Sequence, residues 1–172
     1  MTYRELKTLA ARGQIQLRFA KRSAKLVNVF QCLIVSADSE RREMLERAAA
    51  EGGWKTSACA DASSALTYLS RSLVQMAVVD LERQPTNAFR PVVEQLTTRS
   101  GLLLIVCGNE GDTEEEVWVR QLGAWLYLPG VVDCGSFTSL CGEARHIAER
   151  LCKPGIPDRS ATPQVAQRGR YS

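Results

Sequence analysis

Gln75-Met76-Ala77-Val78-Val79-Asp80 decides the fold: a short apolar run closed by one carboxylate. A run of this length between polar residues reads as a buried strand. In open α/β sheets the working groups lie just beyond the carboxyl ends of the strands, so Asp80 stands where a reactive acid would be placed. What it can do depends on which ligands and cations the neighbouring segments bring to it.

Outward from this run, strand-type and helix-type segments alternate. Cys32-Leu33-Ile34-Val35 is a second buried run, and Asp38-Ser39-Glu40 then offers an N-cap and first-turn acid to a helix with Met44, Leu45 and Ala48 at helical spacing. Gly52-Gly53 stops that helix. Trp54 to Ala60 is a polar-leaning strand, and either Asp61 or Ser63 caps a short helix with Leu66 and Leu69 on one face. After Asp80, a helix carries Val92, Val93 and Leu96, and Gly101 ends it. Leu102 to Cys107 is the most hydrophobic strand. Gly108 to Asp112 is a loop, and Thr113 to Leu122 a helix with Val117 and Trp118 inward. Trp125 to Leu128 is a fifth strand, and Phe137, Leu140, Ala144, Ile147 and Leu151 mark a last helix. These β–α units predict an α/β fold: a doubly wound, five-stranded parallel sheet with helices on both faces. The sequence has neither a GxGxxG after the first strand nor a P-loop, which argues against a dinucleotide or nucleoside-triphosphate site.

Composition sets the organisation around that core. At 172 residues and 45% hydrophobic, the chain can bury one full core. The net charge of +3 conceals a division: +6 over residues 1–30, +3 over 153–172, and −6 between them. We expect a basic N-terminal extension (1–30), a globular domain (31–152) and a disordered, proline-bearing tail (153–172). The extension is either an arm that touches nucleic acid or an anionic surface, or a solvated appendage. No apolar stretch is long enough for a membrane span and no signal-like block opens the chain, so a cytoplasmic protein is expected. Six cysteines without a CxxC pair fit reduced, partly buried thiols.

In order and spacing, these pieces resemble the receiver domain of two-component response regulators, over roughly residues 31–151, which implies a sheet of the flavodoxin-like type. Leu33-Ile34-Val35-Ser36-Ala37-Asp38-Ser39-Glu40-Arg41-Arg42-Glu43-Met44-Leu45 is similar to a receiver's first strand and helix. Ala60-Asp61-Ala62-Ser63-Ser64-Ala65-Leu66 resembles its second turn, and Val78-Val79-Asp80-Leu81 its phosphoacceptor strand. Leu122-Gly123-Ala124 with Tyr127-Leu128-Pro129 resembles the approach to the end of the fifth strand.

The resemblance implies a phosphoacceptor at Asp80, a divalent cation held by an acid pair, a hydroxyl at the end of the fourth strand and a lysine after the fifth. Those places are taken here by Ser36 and Ala37, Cys107 and Gly130, with Val131 where a proline would follow. In the loop after Asp80, Gln84 and Ala88 replace a proline and a glycine, and Pro85 is displaced by one. Mg²⁺ needs several oxygen ligands in octahedral geometry, and a methyl and a hydroxyl cannot replace two carboxylates. Asp38 is either a substitute metal ligand beside Asp80 or a helix cap. Asp80 is either a residual acceptor or a carboxylate that caps a loop or pairs with Arg83. Cys107 reads as a small buried filler, and His146 as a surface residue.

The resemblance also implies a partner-binding face at the fourth helix, fifth strand and fifth helix, with Tyr127 at its aromatic switch position. Trp118, Trp125 and Tyr127 are the interface candidates there, unless the two tryptophans are core. The reading is a non-enzymatic, degenerate receiver-like signalling or adaptor module without cofactor. It binds a protein partner, such as a histidine kinase, an output protein or a second copy, independently of phosphorylation. Two alternatives stand beside it: a phosphorelay receiver that is phosphorylated at Asp80 with Mg²⁺, and a nucleic-acid-associated regulator that uses the basic arm.

Overall fold

The computed structural model describes residues 29–84, 86–130 and 133–152. Apart from Val29 and Phe30, the extensions assigned to 1–30 and 153–172 lie outside the described residues, as does Val131. Strands β1 (Gln31–Val35), β2 (Lys55–Cys59), β3 (Met76–Asp80), β4 (Leu103–Gly108) and β5 (Leu126–Pro129) alternate with helices α1 (Ser39–Glu51), α2 (Ala62–Arg71), α3 (Thr86–Thr97), α4 (Thr113–Gln121) and α5 (Cys134–Cys152). The strands form one parallel sheet, as the alternation predicts, and their order is β2-β1-β3-β4-β5.

Strand composition explains this order. β3 and β4 are buried at every position and need helices over both faces, which only interior strands have. The half-exposed Lys-Thr-Ser-Ala-Cys of β2 tolerates an edge. Because side chains alternate along a strand, the sheet divides its residues by parity. Cys32, Ile34, Met76, Val78, Ile105 and Cys107 face one side with residues of α1 and α5; Leu33, Val35, Ala77, Val79, Leu104 and Val106 face the other with α2, α3 and α4. By the same alternation Asp80 falls on the α1 side, level with Cys107 of β4. The helices on that side approach closely: a methyl at Gly52 would lie 2.6 Å from Cys141 Cβ, so α1 ends on a residue without a side chain.

Aspartates start four of the helices. Asp38, Asp61, Asp112 and Asp133 accept the amides of Arg41 (3.0 Å), Ser64 (2.8 Å), Glu115 (2.9 Å) and Ser136 (2.9 Å), so Asp61 rather than Ser63 caps α2. Two expectations about helix faces are corrected. Val117 is 47% exposed, and the inward residues of α4 are Glu115 and Val119, with Trp118 half-buried beside them. A carboxylate occupies the first inward position, so apolar spacing alone misplaces the stripe. Leu151 is exposed because the packed face of α5 ends at Ala148.

The caps predict acid behaviour. Accepted amide hydrogen bonds hold the Asp38 carboxyl below its usual range, the Ser64 amide and hydroxyl do so for Asp61, and the Ser136 hydroxyl and amide for Asp133. A carboxyl whose pKa is lower folded than unfolded contributes stability above its unfolded value of 3.8, and that contribution is lost as pH falls through the folded value. Urea midpoints should therefore fall as the solution is acidified below about pH 4. Asp61→Asn keeps a capping oxygen without its titration and should make that acid loss smaller.

Candidate functional site

Asp80 is 1% exposed, and both its oxygens are engaged. Ser36 Oγ donates to Oδ2 at 2.8 Å; Arg41 Nε donates to Oδ1 at 2.9 Å, and the Glu82 amide reaches the same oxygen at 3.3 Å. Arg41 arrives from the first turn of α1, and the parity of β3 turns Asp80 toward that helix. The same guanidinium places Nη1 2.7 Å from Glu82 Oε2 and Nη2 3.5 Å from the Gly130 carbonyl. Among the described residues Glu82 Oε2 accepts no hydrogen bond, so its contact with Arg41 is an ion pair off the line of the N–H bonds. The expected pairing of Asp80 with Arg83 is thus corrected. Arg83 is 82% exposed and only 3.8 Å from Glu82, while the α1 residue takes Asp80.

The positions singled out in the sequence converge here, but in other roles. Ser36 is buried and spends its hydroxyl on Asp80, and Ala37 contributes an exposed methyl. Arg42 Nη1 donates to the Ser36 carbonyl at 2.8 Å, so the arginine next to Arg41 holds the β1–α1 turn. Asp38 serves as the helix cap. Gly130, buried with φ +77°, supplies a carbonyl where a lysine was implied. The cation beside Asp80 therefore comes from α1 instead of the β5–α5 turn. A divalent ion does not fit this arrangement: the acid pair is absent, and a guanidinium fills the space between Asp80 and Glu82. Among the described residues no three His, Cys, Asp or Glu are grouped to hold a metal.

Burial pushes the Asp80 carboxyl upward, and the Ser36 hydroxyl, the Arg41 guanidinium and the Glu82 amide pull it back without cancelling the shift. Burial pushes Arg41 down, and Asp80, Cys107 and Glu82 together push it further up. The two partners thus tilt in opposite senses, one toward and one away from charge. We take the pair as ionised at neutral pH, because the guanidinium does not deprotonate in proteins and lies 2.9 Å from the carboxylate. Cys107 is fully buried, and its thiol is pushed up to about 12 by burial and by Asp80, against the pull of Arg41. It is an inert thiol, since reactivity needs the thiolate.

A second polar cluster, absent from the sequence reading, joins this site to Tyr127. Asn109 Oδ1 accepts from the Arg83 amide (3.0 Å) and its Nδ2 donates to the Leu81 carbonyl (3.3 Å), which fixes the loop after Asp80. Asn109 also donates to the buried Glu115 through its amide (2.9 Å) and through Nδ2 (3.2 Å). Tyr127 Oη donates to that carboxylate at 3.0 Å. The ring is 4% exposed, and its hydroxyl is pushed well up by burial and by Glu115. Gly108 makes the room: a methyl there would overlap the Tyr127 ring and hydroxyl and the Glu115 carboxylate. Asp112-Thr113-Glu114-Glu115 has capping-box spacing, which marks the start of α4 but not the inward turn of the glutamate. The three interface candidates do not form one patch. Tyr127 is buried, Trp118 packs on the α2/α3/α4 core with the Arg90 guanidinium 4.7 Å over its ring, and Trp125 packs on the α1/α5 core.

Two substitutions test this geometry by urea unfolding. Arg41→Ala leaves the buried Asp80 without its cation and should cost about 3–5 kcal/mol, part of it regained in Arg41→Ala/Asp80→Asn. Gly108→Ala should cost about 1–3 kcal/mol and expose the Tyr127 ring to solvent, which tyrosine fluorescence quenching would register.

No protein-family model and no curated protein matches the sequence. Solved structures do. A CheY-like response regulator receiver domain protein from Methanospirillum hungatei JF-1 is 18% identical over 72% of this chain and 99% of its own, with a TM-score of 0.63. A receiver domain protein from Clostridium thermocellum gives 13%, 71%, 98% and 0.60, and a receiver protein from Pseudomonas putida 23%, 69%, 99% and 0.59. The chain has the fold of a response regulator receiver domain.

Proposed function

We propose that this chain is a degenerate receiver-like signalling or adaptor module that binds a protein partner independently of phosphorylation. One observation carries the reading: the guanidinium of Arg41 seated on Asp80. Phosphoryl transfer to a carboxylate needs a free oxygen in line with the donor and fixed charges that neutralise the three phosphoryl oxygens as they arrive. Oδ1 is held by Arg41 and the Glu82 amide, and Oδ2 by Ser36. An attacking oxygen would first have to give up its hydrogen bond at a position that solvent barely reaches. The inward Tyr127, tied to Glu115 in space left by Gly108, supports the same reading, because a ring held inside offers no second position to switch to.

The module on this reading is not an enzyme and needs no cofactor. Its partner is a protein that reads a preset surface, whether a kinase, an output protein or a second copy. Incubation with acetyl phosphate and Mg²⁺, and with candidate sensor kinases, should leave the intact mass unchanged. A phosphoryl adduct that disappears in Asp80→Asn would establish the phosphoacceptor instead.

A further inference from the structure

The fold sorts charge and exposed apolar groups between its two ends. Helices α1 to α4 each return the chain from the carboxyl end of one strand to the amino end of the next, and α5 runs beside α1 until Arg145 reaches the Gly53 carbonyl (3.0 Å). Helix starts therefore gather at the carboxyl end with the four capping aspartates, Glu40 and Glu114, and helix ends gather at the amino end. There exposed Lys55, Arg71 and Arg150 and half-buried Arg99 stand against Glu51 and Glu143, while Arg145 pairs with Glu149 (3.0 Å) and Arg120 with Glu116 (2.8 Å). Three of the four large apolar side chains exposed among the described residues share this end: Val29 (54%), Leu73 (80%) and Leu151 (58%). Cys32 pairs with Met76, so in the same register Val29 lies level with Leu73 just before the paired strands begin. Beside Leu73 opens a hollow of about 480 Å³ lined by Arg71, Ser72, Val74, Arg99 and Ser100. Both extensions join the domain here, at Val29 and Cys152; residues 1–28 hold seven Lys and Arg against Glu5, and residues 153–172 hold four against Asp158.

A base in the last turn of a helix complements the helix end, which accounts for Arg71 and Arg150 but for neither Lys55, at the start of a strand, nor the exposed aliphatic groups. Bases interleaved with aliphatic side chains make a face that lies in the boundary of an anionic bilayer. A nucleic-acid face would offer aromatic rings for base stacking, and the rings at this end, Phe30 and Trp54, are buried. We propose that the amino end of the sheet docks on an anionic phospholipid bilayer. Val29, Leu73 and Leu151 enter the headgroup boundary, and the bases around them and in the two extensions hold the lipid charge. The docking is peripheral, since no described helix is long and apolar enough to cross a membrane. This face lies at the opposite end of the sheet from Asp80 and does not depend on how that carboxylate is read.

The full chain is sedimented at about 0.1 M salt with vesicles of phosphatidylcholine, alone or mixed with an equal part of phosphatidylglycerol, and folding is followed by circular dichroism. The anionic vesicles should bind at least about tenfold more tightly than the zwitterionic ones. Leu73→Asp/Leu151→Asp should weaken that binding at least about tenfold, and the milder Leu73→Gln/Leu151→Gln should lose part of it. Arg71→Gln/Arg150→Gln should lose about fivefold for each charge removed. Val117→Asp, at the fourth exposed apolar position, should bind as the wild-type chain does. The proposal is overturned if the chain ignores anionic vesicles, binds zwitterionic ones equally well, or binds no less tightly once Leu73 and Leu151 are polar. It is also overturned if both leucine pairs fail to fold, which would make those side chains structural. Tighter binding to duplex DNA than to vesicles, unchanged in the leucine variants, would assign the face to nucleic acid instead.

Discussion

A guanidinium between two carboxylates, Arg41 between Asp80 and Glu82, governs the open end of this sheet. Burying a carboxylate costs several kcal/mol unless a partner of opposite charge is close and well placed. β3 delivers Asp80 to a position where it is 1% exposed, so the strand can end on this residue only if something compensates it. Ser36 compensates one oxygen as a neutral donor, and Arg41 compensates the other as a cation. Through Nη2 the same group holds the Gly130 carbonyl, so α1, β3 and the turn after β5 are tied at one point. The tie depends on strand parity, since Asp80 shares the face of Met76 and Val78, which α1 covers.

The neighbouring cluster follows the same logic with neutral hydrogen-bond donors. Glu115 is buried, yet its carboxylate accepts from the Asn109 amide and side chain and from Tyr127. Full satisfaction by hydrogen bonds lets a buried polar network rigidify a region instead of weakening it. Asn109 is shared by the two clusters: it braces the loop after Asp80 on one side and Glu115 on the other. A continuous path of fixed donors and acceptors therefore runs from that loop to the Tyr127 hydroxyl. Arg83 sits on it in a left-handed conformation, φ +58°, that a side chain of its type rarely adopts, held by the Asn109 contact to its amide.

The sheet was legible because the evidence for it is local and repeated. Apolar runs such as Met76–Val79 and Leu102–Cys107 say that a strand is buried on both faces, and the Asp caps say where helices begin. Asp80 was legible for the same reason, as a carboxylate at the end of such a run. Its partner was not, because a charge next in sequence, Arg83, competes in any local reading with one 39 residues away. A clue to Arg41 does exist. The first turn of a helix favours acids, and Arg41 and Arg42 lie in that turn against the helix dipole, so each needs a specific acceptor. The structure supplies them in Asp80 and the Ser36 carbonyl. Glu115 offered no such clue, since an acid in a first turn is ordinary, and the need for Gly108 appears only once Tyr127 is seen against it.

A cation carried on the chain differs in kind from one drawn from solution. A dissolved divalent ion binds only when its concentration and its ligands permit, so a site that depends on one can be filled, emptied or coupled to chemistry. Arg41 is held beside Asp80 by the backbone of α1 at an effective concentration that solution ions do not match, and it cannot leave without the helix turn. Its guanidinium also fills the space between Asp80 and Glu82, with Nε committed to Asp80 and Nη2 to Gly130. A site with its cation fixed and both carboxylate oxygens engaged holds its charges in a single arrangement.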